Sequence, residues 1–81
     1  MLSARRIQAV CSEVAKQLRA AREQQQLSMS AVAERSGLSQ QMVSYVERGM
    51  RIPTLDTALR MANALEVDLG SIVTRAQNAD R

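Results

Sequence analysis

The sequence predicts an all-α domain of five helices, and three observations carry that expectation. Gly and Pro total four residues, and no stretch alternates apolar and polar side chains for long, so strand signals are nearly absent. Several segments instead repeat apolar residues at helical spacing. Ser28, Ser39, Thr54 and Asp68 each stand just before such a segment, where a side-chain oxygen can cap free backbone N–H groups.

The first helix is expected from about Ser3 to Gln25. Ile7, Val10, Cys11, Val14, Leu18 and Ala21 share one face, and Arg5, Arg6, Glu13, Lys16, Arg19 and Glu23 occupy the others. Ser28 caps a second helix that carries Met29, Val32 and Ala33 and stops near Ser36. Gly37 follows and tolerates the positive φ of a helix end. Ser39 caps a third helix over Gln40 to Arg48, ended by Gly49. Pro53 and Thr54 mark a fourth start, with Asp56 well placed in its first turn. Leu55, Leu59, Ala62 and Leu65 supply the apolar face of that helix. Asp68 caps a last helix through about Ala76, which buries Ile72 and Val73. The expected organisation is an extended first helix with an N-terminal extension over 1–13, a domain over 14–76 and a polar tail over 77–81.

Composition excludes whole classes of function. The 81 residues fit one small domain. There is no histidine, and Cys11 is the one cysteine, so no zinc cluster, catalytic triad or internal disulfide can be assembled. No metal, cofactor or enzymatic activity is expected. No apolar run approaches the ~18–20 residues of a membrane span, and a cytoplasmic location is expected. Net charge is +3, and residues 1–52 carry eight basic and four acidic side chains. Ten of the eleven basic residues are arginine, which forks onto phosphate and guanine; a GC-rich genome would give the same count.

Residues 28–49 read SMSAVAERSGLSQQMVSYVERG. Two short helices around Gly37-Leu38-Ser39 form a helix-turn-helix pattern. Ala33 is small where the helices cross, and Val32, Leu38, Val43 and Val46 form the seam between them. On the third helix Gln40, Gln41, Ser44, Tyr45 and Arg48 share the opposite side. An amide- and hydroxyl-rich face backed by an apolar seam suits a DNA major groove, where Gln pairs bidentately with adenine. Ordinary solvated side chains are the competing explanation, and the set of five together favours DNA.

The stretch LSQQMVSYVERGMRIPTLDTALRMANALEVD resembles the lambda-repressor-like helix-turn-helix family, with Glu47-Arg48-Gly49 and Pro53-Thr54-Leu55 its most recognisable pieces. The resemblance covers about residues 14–74. It implies a compact five-helix DNA-binding domain and a transcriptional regulator, a repressor or autoregulator, acting on double-stranded DNA as a homodimer. It places Gln40, Gln41, Ser44 and Tyr45 at base-reading positions. Met29, Arg48, Gly49, Arg51 and Thr54 fall at phosphate contacts. Arg22 and Glu47 match a structural ion pair, and Ile72 on the last helix is the expected dimer contact. Two positions depart from the family pattern. Met29 replaces the usual Gln, which leaves only its backbone N–H for a phosphate. Glu66 replaces the usual Gly, which costs roughly 1 kcal/mol if the position keeps positive φ.

A second class of function fits the same features: a protein-interaction module of this fold, such as an antitoxin or regulatory adapter, with weak DNA binding and a protein partner. The two differ in salt dependence, which is steep only where phosphates are neutralised. In the extension, Ile7, Val10 and Val14 either cover the domain's own fifth helix or meet a second subunit.

Overall fold

The computed structural model describes residues 3–79. Five helices follow one another with short connections: α1 (Ala4–Gln24), α2 (Met29–Ser36), α3 (Gln40–Glu47), α4 (Leu55–Ala64) and α5 (Leu69–Ala79). The all-α class, the order of the helices and the long first helix agree with the sequence reading.

Local chemistry sets the boundaries. The hydroxyls of Ser3, Ser28, Ser39 and Thr54 accept from the amides of Arg6 (3.2 Å), Ala31 (3.0 Å), Met42 (3.0 Å) and Thr57 (3.1 Å). Such Ser and Thr caps are worth about 1 kcal/mol each. Asp68 caps α5 by accepting from the Ser71 amide at 2.9 Å and its hydroxyl at 2.8 Å. The Ser71 hydroxyl and then its amide favour the charged carboxylate and lower the Asp68 pKa. This cap is therefore complete above the ordinary Asp pKa and is lost as pH falls through the lowered value.

Gly37 closes α2 with φ 76° and Gly49 follows α3 with φ 71°. Glu66 holds φ 57° after α4, so the turn keeps its left-handed conformation without glycine. Gln26 does the same between α1 and α2 at φ 58°, a position the sequence did not mark. Relief of backbone strain exceeds the added chain entropy when Glu66 becomes Gly. Glu66→Gly is expected to stabilise the domain by about 0.5 kcal/mol, raising Tm by a few degrees in a thermal melt. An unchanged or lowered Tm would show that the turn carries no strain.

The core is built from Leu18, Val32, Val43, Val46, Met61, Leu65 and Ile72, all essentially without exposed surface. The long α1 packs most extensively on α5 and also touches α3, while α2 rests on α3 and α4. Ala33 is buried in the α2–α3 region as its size demands.

One face and one boundary differ from expectation, and the N-terminal extension is helical as expected. The buried side of α4 is Ala58, Met61, Ala62 and Leu65, whereas Leu55 and Leu59 are 71% and 49% exposed. Both sets obey helical spacing, and contact with α2 and α5 selects the first. Helix α5 continues to Ala79, so residues 77–79 of the expected tail are helical; residues 80–81 lie outside the described range. The N-terminal extension is the opening of one unbroken α1. Its Val10 and Val14 line a groove with Leu69 and Val73 of α5, while Ile7 is 49% exposed. Val73 itself is only partly buried. Among the described residues no helix is long and apolar enough to cross a membrane, and no acidic, Cys or His cluster could hold a metal.

Candidate nucleic-acid interface

Helix α3 has two unlike sides because its apolar residues repeat at helical spacing. Val43 and Val46 are fully buried and Met42 packs partly on the core. Gln40 and Gln41 are exposed in its first turn, and Ser44 and Tyr45 are half-buried one turn later. The cap from Ser39 and the Gly37 turn aim this helix. Ser36 adds to that turn: it is buried, donates to the Ala33 carbonyl (3.2 Å) and accepts from the Leu38 amide (3.2 Å). Its signal in the sequence is a small polar residue immediately before the turn glycine.

The end of α3 is held from beneath. Arg22 of α1 donates to Glu47 through a parallel fork, Nε to Oε2 at 2.7 Å and Nη2 to Oε1 at 2.9 Å. Its Nη1 also donates to the Leu27 carbonyl at 2.9 Å. The two side chains are 12% and 1% exposed. Glu47's hydrogen bond raises the Arg22 pKa above its ordinary value, and partial burial opposes this without reversing it. One guanidinium thus joins α1, the turn into α2 and α3. Gln25 adds a second tie, its Nε2 donating to the Leu65 carbonyl at 2.7 Å, for which the sequence carries no pattern.

After α3 the chain turns through Gly49, with the Met50 amide donating to the Tyr45 carbonyl at 2.9 Å. Arg48, Gly49 and Arg51 are all exposed in this segment. The Arg51 guanidinium carbon lies 5.5 Å from the centre of the Tyr45 ring. The Tyr45 hydroxyl accepts from Gln41 Nε2 at 2.6 Å. Gln41, Tyr45 and Arg51 are therefore brought together, whereas Gln40 and Ser44 make no side-chain contact of this kind among the described residues.

The remaining expected positions stand at helix starts. Met29 begins α2 with its side chain packed against the core, so its backbone N–H is what it offers outward. Thr54 uses its hydroxyl to cap α4 and to donate to the Thr57 hydroxyl at 3.1 Å. It presents backbone amides and not a free side chain. The neighbouring Asp56 carboxylate is engaged by Arg60 at 2.8 Å.

Ile72 requires a correction. It is 1% exposed and sits in the core of a single chain, so it has no surface to give a second subunit. Among the described residues, the large apolar side chains that do reach the surface are Ile7, Met50, Ile52, Leu55 and Leu59. Ile52 and Leu55 border the groove beside α5, a recess of about 290 Å³.

Comparison with known proteins agrees with this geometry. A helix-turn-helix family model matches residues 18–72. An uncharacterized HTH-type transcriptional regulator from Sinorhizobium fredii is 41% identical over 56 residues, 69% of this chain and 29% of that protein. One from Mycobacterium tuberculosis is 42% identical over 59 residues, 73% of this chain and 42% of its own length. A further Sinorhizobium fredii regulator is 43% identical over 53 residues, 65% of this chain and 69% of that protein. The chain thus spans less than half the length of the first two relatives. No solved structure gives a significant match. The chain belongs to the lambda-repressor-like helix-turn-helix family, the family of the HTH-type transcriptional regulators it resembles.

Proposed function

We propose that the chain is a sequence-specific, non-enzymatic DNA-binding regulator that represses or autoregulates from a near-palindromic operator as a homodimer. The observation that carries this reading is the outward face of α3. Two exposed glutamines in the first turn, with Ser44 half-buried one turn later, stand on a helix whose other side is locked into the core. Gln40 and Gln41 read base edges, with adenine the favoured partner. Arg48, Arg51 and the amides at Met29 and Thr54 position the domain on phosphates, whereas the Gly49 amide is donated to the Val46 carbonyl at 3.1 Å. The exposed apolar side chains Ile52, Leu55 and Leu59 are the surface available to a second copy.

The test is selection of binding sites from a randomised duplex library at near-physiological salt. The expected result is a palindrome with half-sites about one DNA turn, 34–36 Å, apart. Gln40→Ala and Gln41→Ala should each relax one base position, with affinity falling by roughly 1–3 kcal/mol. Arg51→Ala should weaken binding to every sequence and make the salt slope shallower by about one. The same apolar surface favours a second reading, a protein-interaction module that binds DNA weakly. That reading takes over if no sequence is enriched by a folded protein and binding shows little salt dependence.

A further inference from the structure

We propose that Tyr45 is a positioning residue that couples the base-facing amide of Gln41 to the phosphate-facing guanidinium of Arg51. The inference rests on the DNA-reading role of α3 and adds to it. Tyr45 was expected to read bases itself, but both its polar end and its ring are engaged within the chain. Its hydroxyl oxygen takes a hydrogen from Gln41 Nε2 at 2.6 Å, and Arg51 lies over its ring at 5.5 Å from the centroid.

The chemistry of the amide gives this arrangement a consequence. A glutamine side chain has two donors and one acceptor oxygen. With one N–H directed to Tyr45, the carbonyl oxygen and the other N–H remain for a base. That is the donor–acceptor pair adenine takes through N7 and N6. A glutamine on a bare helix surface must lose its rotamer freedom on binding; one already tied to its i+4 neighbour loses less. The ring is in turn steadied by the Arg51 cation on its face. Tyr45 keeps its own O–H as a donor. Donating that O–H in a hydrogen bond to a phosphate oxygen leaves the phenolic oxygen only its acceptor role, which favours the donor end of the Gln41 amide towards it. A backbone contact thereby fixes which way the base-reading amide faces.

The experiment is a double-mutant cycle on the duplex selected by the wild-type chain, and on duplexes changed at each base pair. Tyr45→Phe keeps the ring and the Arg51 contact and removes the hydroxyl. Discrimination at the base pair read by Gln41 should fall about tenfold, and the same change made in Gln41→Ala should add less than about twofold. Tyr45→Leu, which also removes the ring, should add a loss shared by all sequences. Additive effects of Tyr45→Phe and Gln41→Ala, or a loss spread evenly over every duplex, overturn the proposal. The free protein supplies a second readout. The Gln41 side-chain amide protons should show one fixed environment by NMR in the wild type and an averaged one in Tyr45→Phe. No change between the two also overturns it. A wild-type chain that selects no sequence overturns the DNA-reading role first, before any variant is made, and this proposal with it.

Discussion

Glu47→Ala should destabilise the domain by about 3–5 kcal/mol, because it strands a largely buried guanidinium. Glu47 is 1% exposed at its side chain and takes both oxygens of its carboxylate into the fork from Arg22. An 81-residue domain has roughly 4–12 kcal/mol to lose at 0.05–0.15 kcal/mol per residue. Urea denaturation should show a midpoint shifted by a large fraction of the whole transition. Replacing both partners, as in Arg22→Met with Glu47→Leu, should cost far less than the sum of the single changes, since no unpaired charge remains. A loss below about 1 kcal/mol for Glu47→Ala would mean that the pair behaves as an exposed one. Operator binding should fall with stability here, because Glu47 immediately precedes Arg48 and ends the helix that presents the glutamines.

Ile72→Ala should cost about 2–5 kcal/mol through lost burial and the cavity it leaves. The decisive feature is its dependence on protein concentration. A core residue lowers Tm equally at dilute and concentrated protein, whereas a dimer contact lowers it most where dissociation matters. The 1% exposure of Ile72 in one chain predicts the first pattern. A variant that melts normally yet sediments as a monomer, where the wild type is a dimer, would return Ile72 to the interface.

Much of the fold was legible because its boundaries are local chemistry. Ser28, Ser39, Thr54 and Asp68 cap the helices they precede, and Gly37 takes the positive φ that ends α2. Each depends on atoms within a few residues, which spacing in the chain can reveal. The unusual backbone at Glu66 was legible from the family pattern; that at Gln26 was not, because no glycine habit marked it. The face expected of α4 is half right, with Ala62 and Leu65 buried as read but Leu55 and Leu59 exposed, for a different reason. Leu55 and Leu59 outrank alanine in hydrophobicity, but the helix buries Ala58 and Ala62 with Met61 and Leu65. Larger side chains on the outer flank leave the small ones to meet the neighbouring helices. Ile72 is buried as the spacing predicts, but whether its own chain or a second copy covers it is decided only when α1 is laid against α5.

For the candidate site, the sequence alone determined the helix-turn-helix, its turn and the polar composition of the face on α3. Those follow from periodicity and from hydrogen bonds made within one or two turns of chain. Tertiary structure decided the rest. It closed the fork between Arg22 and Glu47, a pair the family resemblance implies, across 25 positions, covered Ile72 within one chain, turned Leu55 outward, and set Arg51 on the ring of Tyr45. These outcomes depend on how helices pack and where a loop returns, and packing is a property of surfaces meeting in space, which residue spacing along one helix does not encode.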